Sequence, residues 1–303
     1  MGSAKSAVQG WKSAAKGLAV LIVIVVQALG PGAGWSQEPA QPRLVEEIAK
    51  QEKIYRSRGA EVPSGYVTNR GLSDYAQLLT SGFCDALGSL GSSDRWLDVG
   101  TGDGQAILDY YAAVDEAVPA EKCAQLAGRA RAVAMSIEDR RTDRWRDQAA
   151  SFGDDRIRYL SGKRLGQYSR EELGKFQIIT DVYGGFSYTE NLSRFLETVL
   201  SLLEPGGAFY TLVQGVHLEN GKDKPGSWYQ TELVDAAGRD VKVCSWLKKT
   251  TCVKVGCESN SDWDSPTEMI NIRKVCSDVS VPRMKLLKYE AGNPPGRRFQ
   301  LEP

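Results

Sequence analysis

The run Arg95-Trp96-Leu97-Asp98-Val99-Gly100-Thr101-Gly102-Asp103-Gly104 decides how this chain folds. It reads as a short buried strand carrying one acid, then a glycine-spaced turn opening into a helix near Gln105. Glycines on alternate positions let the backbone bend sharply and approach another group without Cβ interference. A strand-to-helix turn of this kind also aims backbone N–H groups outward. A dinucleotide fingerprint would read G-x-G-x-x-G, with its acid about 20 residues later. Here the pattern is D-x-G-x-G-x-G, and the acid comes first. A negative charge beside the bend suits a cationic ligand better than a pyrophosphate.

Further along, Lys175-Phe176-Gln177-Ile178-Ile179-Thr180-Asp181 is a second buried strand ending in an acid. It is followed by the loop Val182-Tyr183-Gly184-Gly185-Phe186-Ser187-Tyr188. From about Glu190, Leu192, Phe195, Leu196, Val199, Leu200 and Leu203 form the apolar face of a helix. That helix stops at Glu204-Pro205-Gly206-Gly207, and Ala208 to Val213 is another strand.

These two blocks, in this order, resemble the first and the fourth-to-fifth segments of class I S-adenosylmethionine-dependent methyltransferases. The resemblance implies an α/β fold: a doubly wound, mostly parallel seven-stranded sheet with an antiparallel C-terminal edge. Alternating strands and helices independently demand a parallel sheet. The resemblance also implies S-adenosyl-L-methionine as cofactor, with Asp98, Gly100, Thr101, Gly102 and Gly104 around its amino-acid end. The second-strand candidate Ala132 to Ile137 closes on Glu138 and Asp139, and Glu138 is the expected partner of the ribose hydroxyls. It lies 38 residues after Gly100, nearly double the ~20 usual in such folds, so an insertion near residues 118–129 is expected. Arg156 to Leu160 reads as a third strand, followed by Lys163 where family members commonly carry an acid near the adenine. Asp181 is expected to touch cofactor or acceptor.

Outside these motifs, residues 37–93 read as a helical preface. One amphipathic helix runs from Arg43, and a second from about Ser73 to Gly88. In the family such a preface lids the cofactor, and Tyr66 and Arg70 are candidates for its carboxylate. The methyltransferase-like domain is expected over 94–290, with 291–303 as a tail. Within it, Asp143 to Phe152 is helical and Ser169-x-x-Glu172 is a capping box. A helix is expected from Ser227 to Ala237, with strands over 241–255, 268–275 and 281–289.

Length and composition admit one large domain or two modest ones. The chain has 303 residues and carries 38 basic and 38 acidic side chains. With no overall field to drive phosphate binding, nucleic acid is not expected as a partner. Residues 1–36 place three lysines before the unbroken apolar run Leu18 to Val26, then Gly30-Pro31-Gly32-Ala33-Gly34. That order is a secretory signal peptide, with an uncleaved anchor as the alternative. Membrane contact would then come only through this segment, and the body is expected outside the cytosol. In an oxidising compartment the six cysteines favour pairing, with one or two disulfides expected among Cys244, Cys252, Cys257 and Cys276 and free buried thiols as the alternative. No C-x-x-C spacing occurs, so no metal is expected.

Methyl transfer from a sulfonium needs alignment more than covalent help. The motifs therefore mark the cofactor and leave the acceptor, a small molecule or envelope component, unspecified. His217, the single histidine of the chain, is the candidate general base. Tyr183, Phe186 and Tyr188 are candidates for an acceptor pocket. A catalytically silent binding protein and an aminopropyltransferase-like enzyme, which shares a glycine-aspartate-glycine turn, are the alternatives. The export signal stands against a cofactor made in the cytosol.

Overall fold

The computed structural model describes residues 42–57, 67–112, 123, 126, 128–153, 155–261 and 265–303. The signal segment and Tyr66 lie outside the described residues. The preface holds α1 (Pro42–Ser57), α2 (Leu72–Leu78) and α3 (Phe83–Gly88). The single helix expected from Ser73 to Gly88 is thus two, broken at Leu79, an extended residue whose N–H still donates to the Tyr75 carbonyl.

The chain then alternates β1 (Arg95–Val99), α4 (Gln105–Tyr111), β2 (Arg131–Met135), α5 (Asp143–Ser151), β3 (Ile157–Leu160) and α6 (Arg170–Leu173). Next come β4 (Phe176–Asp181), α7 (Gly185–Tyr188), α8 (Leu192–Leu202) and β5 (Leu203–Gln214). The Ser169 capping box is formed: its Oγ accepts from Glu172 N at 3.1 Å, and its N–H donates to Glu172 Oε2 at 2.7 Å.

The last third differs most from its sequence reading. It holds β6 (Thr231–Val234), β7 (Asp240–Val241), α9 (Val243–Leu247), β8 (Val253–Asn260), β9 (Thr267–Lys274), β10 (Met284–Glu290) and β11 (Gly296–Leu301). A strand replaces the helix expected over Ser227 to Ala237, and α9 interrupts the strand expected over 241–255. The supposed tail contains β11, which pairs with β10 on one side and β6 on the other. Those pairings join segments about 66 residues apart in β6 and β11, beyond the reach of local periodicity.

Seven strands form one sheet in the order β3-β2-β1-β4-β5-β9-β8. Its first five members are parallel, while β9 runs antiparallel to β5 and β8 antiparallel to β9. This Rossmann-like, doubly wound sheet with an antiparallel edge is the arrangement the resemblance implied. The direction of strand succession reverses between β1 and β4, which opens a crevice beyond their C-terminal ends. The remaining strands make a second sheet, β10-β11-β6-β7.

The central strands are buried on both faces, as parallel strands covered by helices must be. Leu97, Val99, Ile179 and Phe209 pack with Leu196, Val199 and Leu200 of α8 and with Phe299 of the second sheet. Trp96, Ala132, Ala134, Ile178 and Tyr210 pack with α2, α3 and α4 through Tyr75, Phe83, Leu87 and Ile107. The alternation of strand side chains thus decides which residues meet the preface and which meet α8.

All six cysteines are paired, as Cys84–Cys123, Cys244–Cys257 and Cys252–Cys276. Two disulfides staple the C-terminal strands as expected. The third, tying α3 to the segment before β2, was not foreseen, and no free thiol remains among the described residues.

Candidate functional site

A cleft of about 320 Å³ lies across the C-terminal ends of β1, β2 and β4, at the reversal of strand order. Gly100 and Gly102 border it below β1, Ser136 and Ile137 below β2, and Val182 and Tyr183 below β4. From α1, Ile48, Gln51 and Glu52 reach its wall. The Glu52 carboxylate pairs with Arg164 at 2.8 Å, and Gln51 Oε1 accepts from Gly292 N at 2.7 Å. The first preface helix is therefore fastened on both banks.

The glycine turn is built as the sequence suggested, with φ of +80°, +61° and +87° at Gly100, Gly102 and Gly104. Side chains rarely adopt these angles. What needs the missing Cβ atoms is the protein itself. A Cβ on Gly100 would stand 2.5 Å from Gly184 Cα, and one on Gly102 would stand 2.1 Å from the Thr68 carbonyl oxygen. At Gly104 the neighbour is the Trp145 indole, at 2.9 Å.

Most of the turn's N–H groups have internal partners. Gly100 N and Thr101 N both donate to Met135 O, and Asp103 N donates to Thr68 O. Tyr159, on β3, donates its hydroxyl to Gly102 O. The expectation that this turn aims several free N–H groups at a ligand is corrected: the neighbouring strand and the preface accept them.

The carboxylates expected at the cofactor face elsewhere. Asp98 is fully buried and borders no part of the cleft. It accepts from Tyr75 Oη at 2.9 and 3.1 Å and from Thr180 Oγ1 at 2.6 Å. Trp96 Nε1 in turn donates to Thr180 Oγ1 at 2.8 Å. Burial raises the Asp98 pKa above the usual carboxylate range, against the pull of its hydroxyl donors. β1 registers Asp98 against Thr180, so both side chains leave the sheet on the α2 face.

Asp181 is also fully buried. Its oxygens accept from Gly184 N and Phe186 N, both at 3.0 Å, fastening the loop after β4. Burial pushes its pKa up to about 7. From β11, Arg297 reaches the same loop, donating to Phe186 O at 2.9 Å, Thr189 O at 3.0 Å and Thr231 Oγ1 at 2.9 Å. Desolvation lowers that guanidinium to about 10. The second sheet thus fixes the loop bordering the cleft.

Glu138 sits at the cleft's margin, where its carboxylate takes Arg140 Nη2 at 2.7 Å. Arg140 and Ser136 line the cleft and Glu138 does not. Asp139 is bound to Arg141, whose hydrogen bonds hold it well below the usual carboxylate range. Lys163 lines the cleft and pairs with Glu172 at 3.2 Å. Arg70 lines it too, with its guanidinium 4.8 Å from the Tyr183 ring centroid. Tyr183, at φ +52°, and Tyr188 border the cleft, while Phe186 is buried in the core.

His217 lies apart from the cleft. It stacks on Tyr229 with centroids 3.7 Å apart, and its Nδ1 meets Asp223 at 3.2 Å. As the candidate base it is corrected, because the connection after β5 carries it toward β6 and β7 and not back over the sheet's crevice.

Sequence reasoning missed Tyr75, Thr180 and Tyr159. Thr180 carried a usable signal: on a strand, the residue beside Asp181 shares a face with Asp98 once β1 and β4 are neighbours. Nothing local marked Tyr75 or Tyr159.

No family model matches the chain, and no curated protein does. It resembles several solved structures at low identity. A rRNA methylase from Streptococcus thermophilus is 12% identical over 64% of this chain and 95% of its own, with a TM-score of 0.37. The N-terminal domain of EvdMO1 with SAH bound is 10% identical over 75% of this chain and 96% of its own, at 0.43. Geranyl diphosphate methyltransferase in complex with SAM is 16% identical over 50% of this chain, which spans 53% of that longer protein, at 0.34. The fold assignment stands on the strand order.

Proposed function

We propose that this protein is an S-adenosylmethionine-dependent methyltransferase acting on a small-molecule or envelope acceptor outside the cytosol. The observation carrying the proposal is the cleft at the reversal of strand order, bordered by Gly100 and Gly102 below β1 and by Ser136 below β2. Ligands of open α/β sheets bind in that crevice. Its volume of about 320 Å³ falls at the lower end of the range for small-molecule sites.

The residues present suit such a cofactor, though not through the acids the resemblance named. Arg70 would take its carboxylate, the Gly100 and Gly102 backbone would lie along its chain, and Ser136 and Arg140 would face its sugar. When bound, the cofactor supplies a methyl group on a sulfonium, an excellent leaving group. Tyr183 and Tyr188 would exclude water and flank the acceptor. Asp98 and Asp181 act through others: Asp98 ties the preface to β1 and Asp181 fixes the loop after β4. They are positioning residues.

The disulfide pairs support the localisation, since such bonds persist where the medium is oxidising. Calorimetric titration of the purified protein with S-adenosylmethionine, S-adenosylhomocysteine and the decarboxylated cofactor tests the reading. The first two should bind with one site per chain and the third far more weakly. Silence from both carboxylated ligands would end the proposal, and preference for the decarboxylated form would indicate aminopropyl transfer.

A further inference from the structure

The cleft is cationic in a chain that is not. Equal numbers of basic and acidic side chains, 38 each, make the protein neutral overall. The cleft walls nevertheless carry Arg70, Arg140, Lys163, Arg164 and Arg194 against Glu52 and Glu190. The acids at the sheet's C-terminal edge that could have balanced them are turned away: Asp98 toward Tyr75 and Thr180, Asp181 toward the amides of its own loop. A cleft whose lining carries an excess of one sign of charge concentrates ligands of the opposite sign.

Three of the five cations are already engaged by carboxylates, Arg140 by Glu138, Lys163 by Glu172 and Arg164 by Glu52. The other two are not. Among the described residues neither Arg70 nor Arg194 has a carboxylate at ion-pair distance. Arg194 is also badly placed for its own helix. It stands in the first turn of α8, where a cation opposes the dipole and no acid shares the turn. A local rule broken without local compensation marks a binding position more often than a structural one. Phe195 and Tyr289 line the cleft with it and supply apolar walls.

We infer that the acceptor is a small anion, bearing phosphate or carboxylate groups, and that Arg194 binds its charge at the α8 end of the cleft. This rests on the methyltransferase reading only in calling that anion the acceptor. Two unpaired cations then serve two anionic groups: Arg70 the cofactor's carboxylate, Arg194 the acceptor. The planar guanidinium suits either oxyanion, through paired N–H donors.

The test is calorimetry of the purified protein at fixed ionic strength, with pyrophosphate and citrate as separate probes and with S-adenosylhomocysteine present or absent. One saturable anion site is expected, retained when the nucleoside is bound. The tighter of the two probes identifies phosphate or carboxylate as the acceptor's charged group. Arg194→Gln should weaken the anion about tenfold or more and the nucleoside less than twofold, while Arg70→Gln should do the reverse. Lys254→Gln, at the exposed position of β8, controls for net charge, and thermal melts of each variant control for folding. The inference is overturned by no saturable anion binding, by equal losses in Arg194→Gln and Lys254→Gln, or by displacement of the anion by the nucleoside. Anion binding lost in Arg194→Gln, without any nucleoside binding, would uphold the anion site and retire the methyltransferase reading.

Discussion

The Tyr75 hydroxyl donates to both oxygens of the buried Asp98 carboxylate, at 2.9 and 3.1 Å, and so joins the helical preface to the strand that launches the glycine turn. An acid at that strand end was expected to face a ligand. It instead holds α2 against the sheet, with Thr180 as its second donor.

Removing the hydroxyl tests this bond directly. Tyr75→Phe leaves a buried carboxyl short of one donor, a loss of about 1–3 kcal/mol. For a chain of this size that is about 2–4 °C in Tm per kcal/mol. A melt indistinguishable from wild type would mean that Asp98 is satisfied without Tyr75.

Asp181 should make stability depend on pH. Its carboxyl titrates near ~3.9 when unfolded and at about 7 when folded, so the folded chain keeps a proton the unfolded chain has lost. The contribution is full below about pH 4 and disappears as pH rises through about 7. Asp98, raised by burial in the same direction, adds to the slope. Urea midpoints measured across that window should fall with pH in wild type. In Asp181→Asn the fall should be shallower, from a lower starting stability, because one amide oxygen cannot accept as two carboxylate oxygens do. Parallel slopes in the two proteins would refute the assignment.

Gly100→Ala combines a positive φ of +80° with a Cβ placed 2.5 Å from Gly184 Cα. Neither backbone can yield without moving the turn or the loop after β4. The expected cost exceeds about 1–3 kcal/mol, with loss of S-adenosylhomocysteine binding. Circular-dichroism melts and calorimetry on the same samples provide the check.

The bond between Cys84 and Cys123 closes a segment of 39 residues that contains β1, the glycine turn and α4. The double substitution to Ala should cost about 2–4 kcal/mol, mainly by freeing the unfolded chain. Denaturant titration with and without a reductant distinguishes this loss from a packing defect: a reductant should narrow the gap between wild type and variant.

His217→Ala should leave nucleoside affinity unchanged, because the ring stacks on Tyr229 and meets Asp223 away from the cleft. Its stability cost should stay below about 1 kcal/mol, as for other partly exposed pairs. A large change in affinity would restore the histidine to the site.

The sheet was legible because its signals are local. Buried strands of four to six residues, glycine or proline stops and the apolar stripe of α8 each lie within one short window. The direction of the Asp98 side chain was not. It depends on which face of β1 α2 covers, a fact held by the pairing of Tyr75 with a residue 23 positions later. The same applies to β6 and β11, whose partners lie far along the chain, and to Arg194, whose want of a carboxylate is visible only when its surroundings are assembled.

The sequence by itself determined the alternation of strands and helices from β1 to β5 and the bend at Gly100 to Gly104, since each follows from the conformational preferences of neighbouring residues. Only the tertiary structure decided which carboxylates the core would take and which cations the cleft would keep. Burial and charge compensation are properties of side chains brought together from distant segments, and no short window contains them.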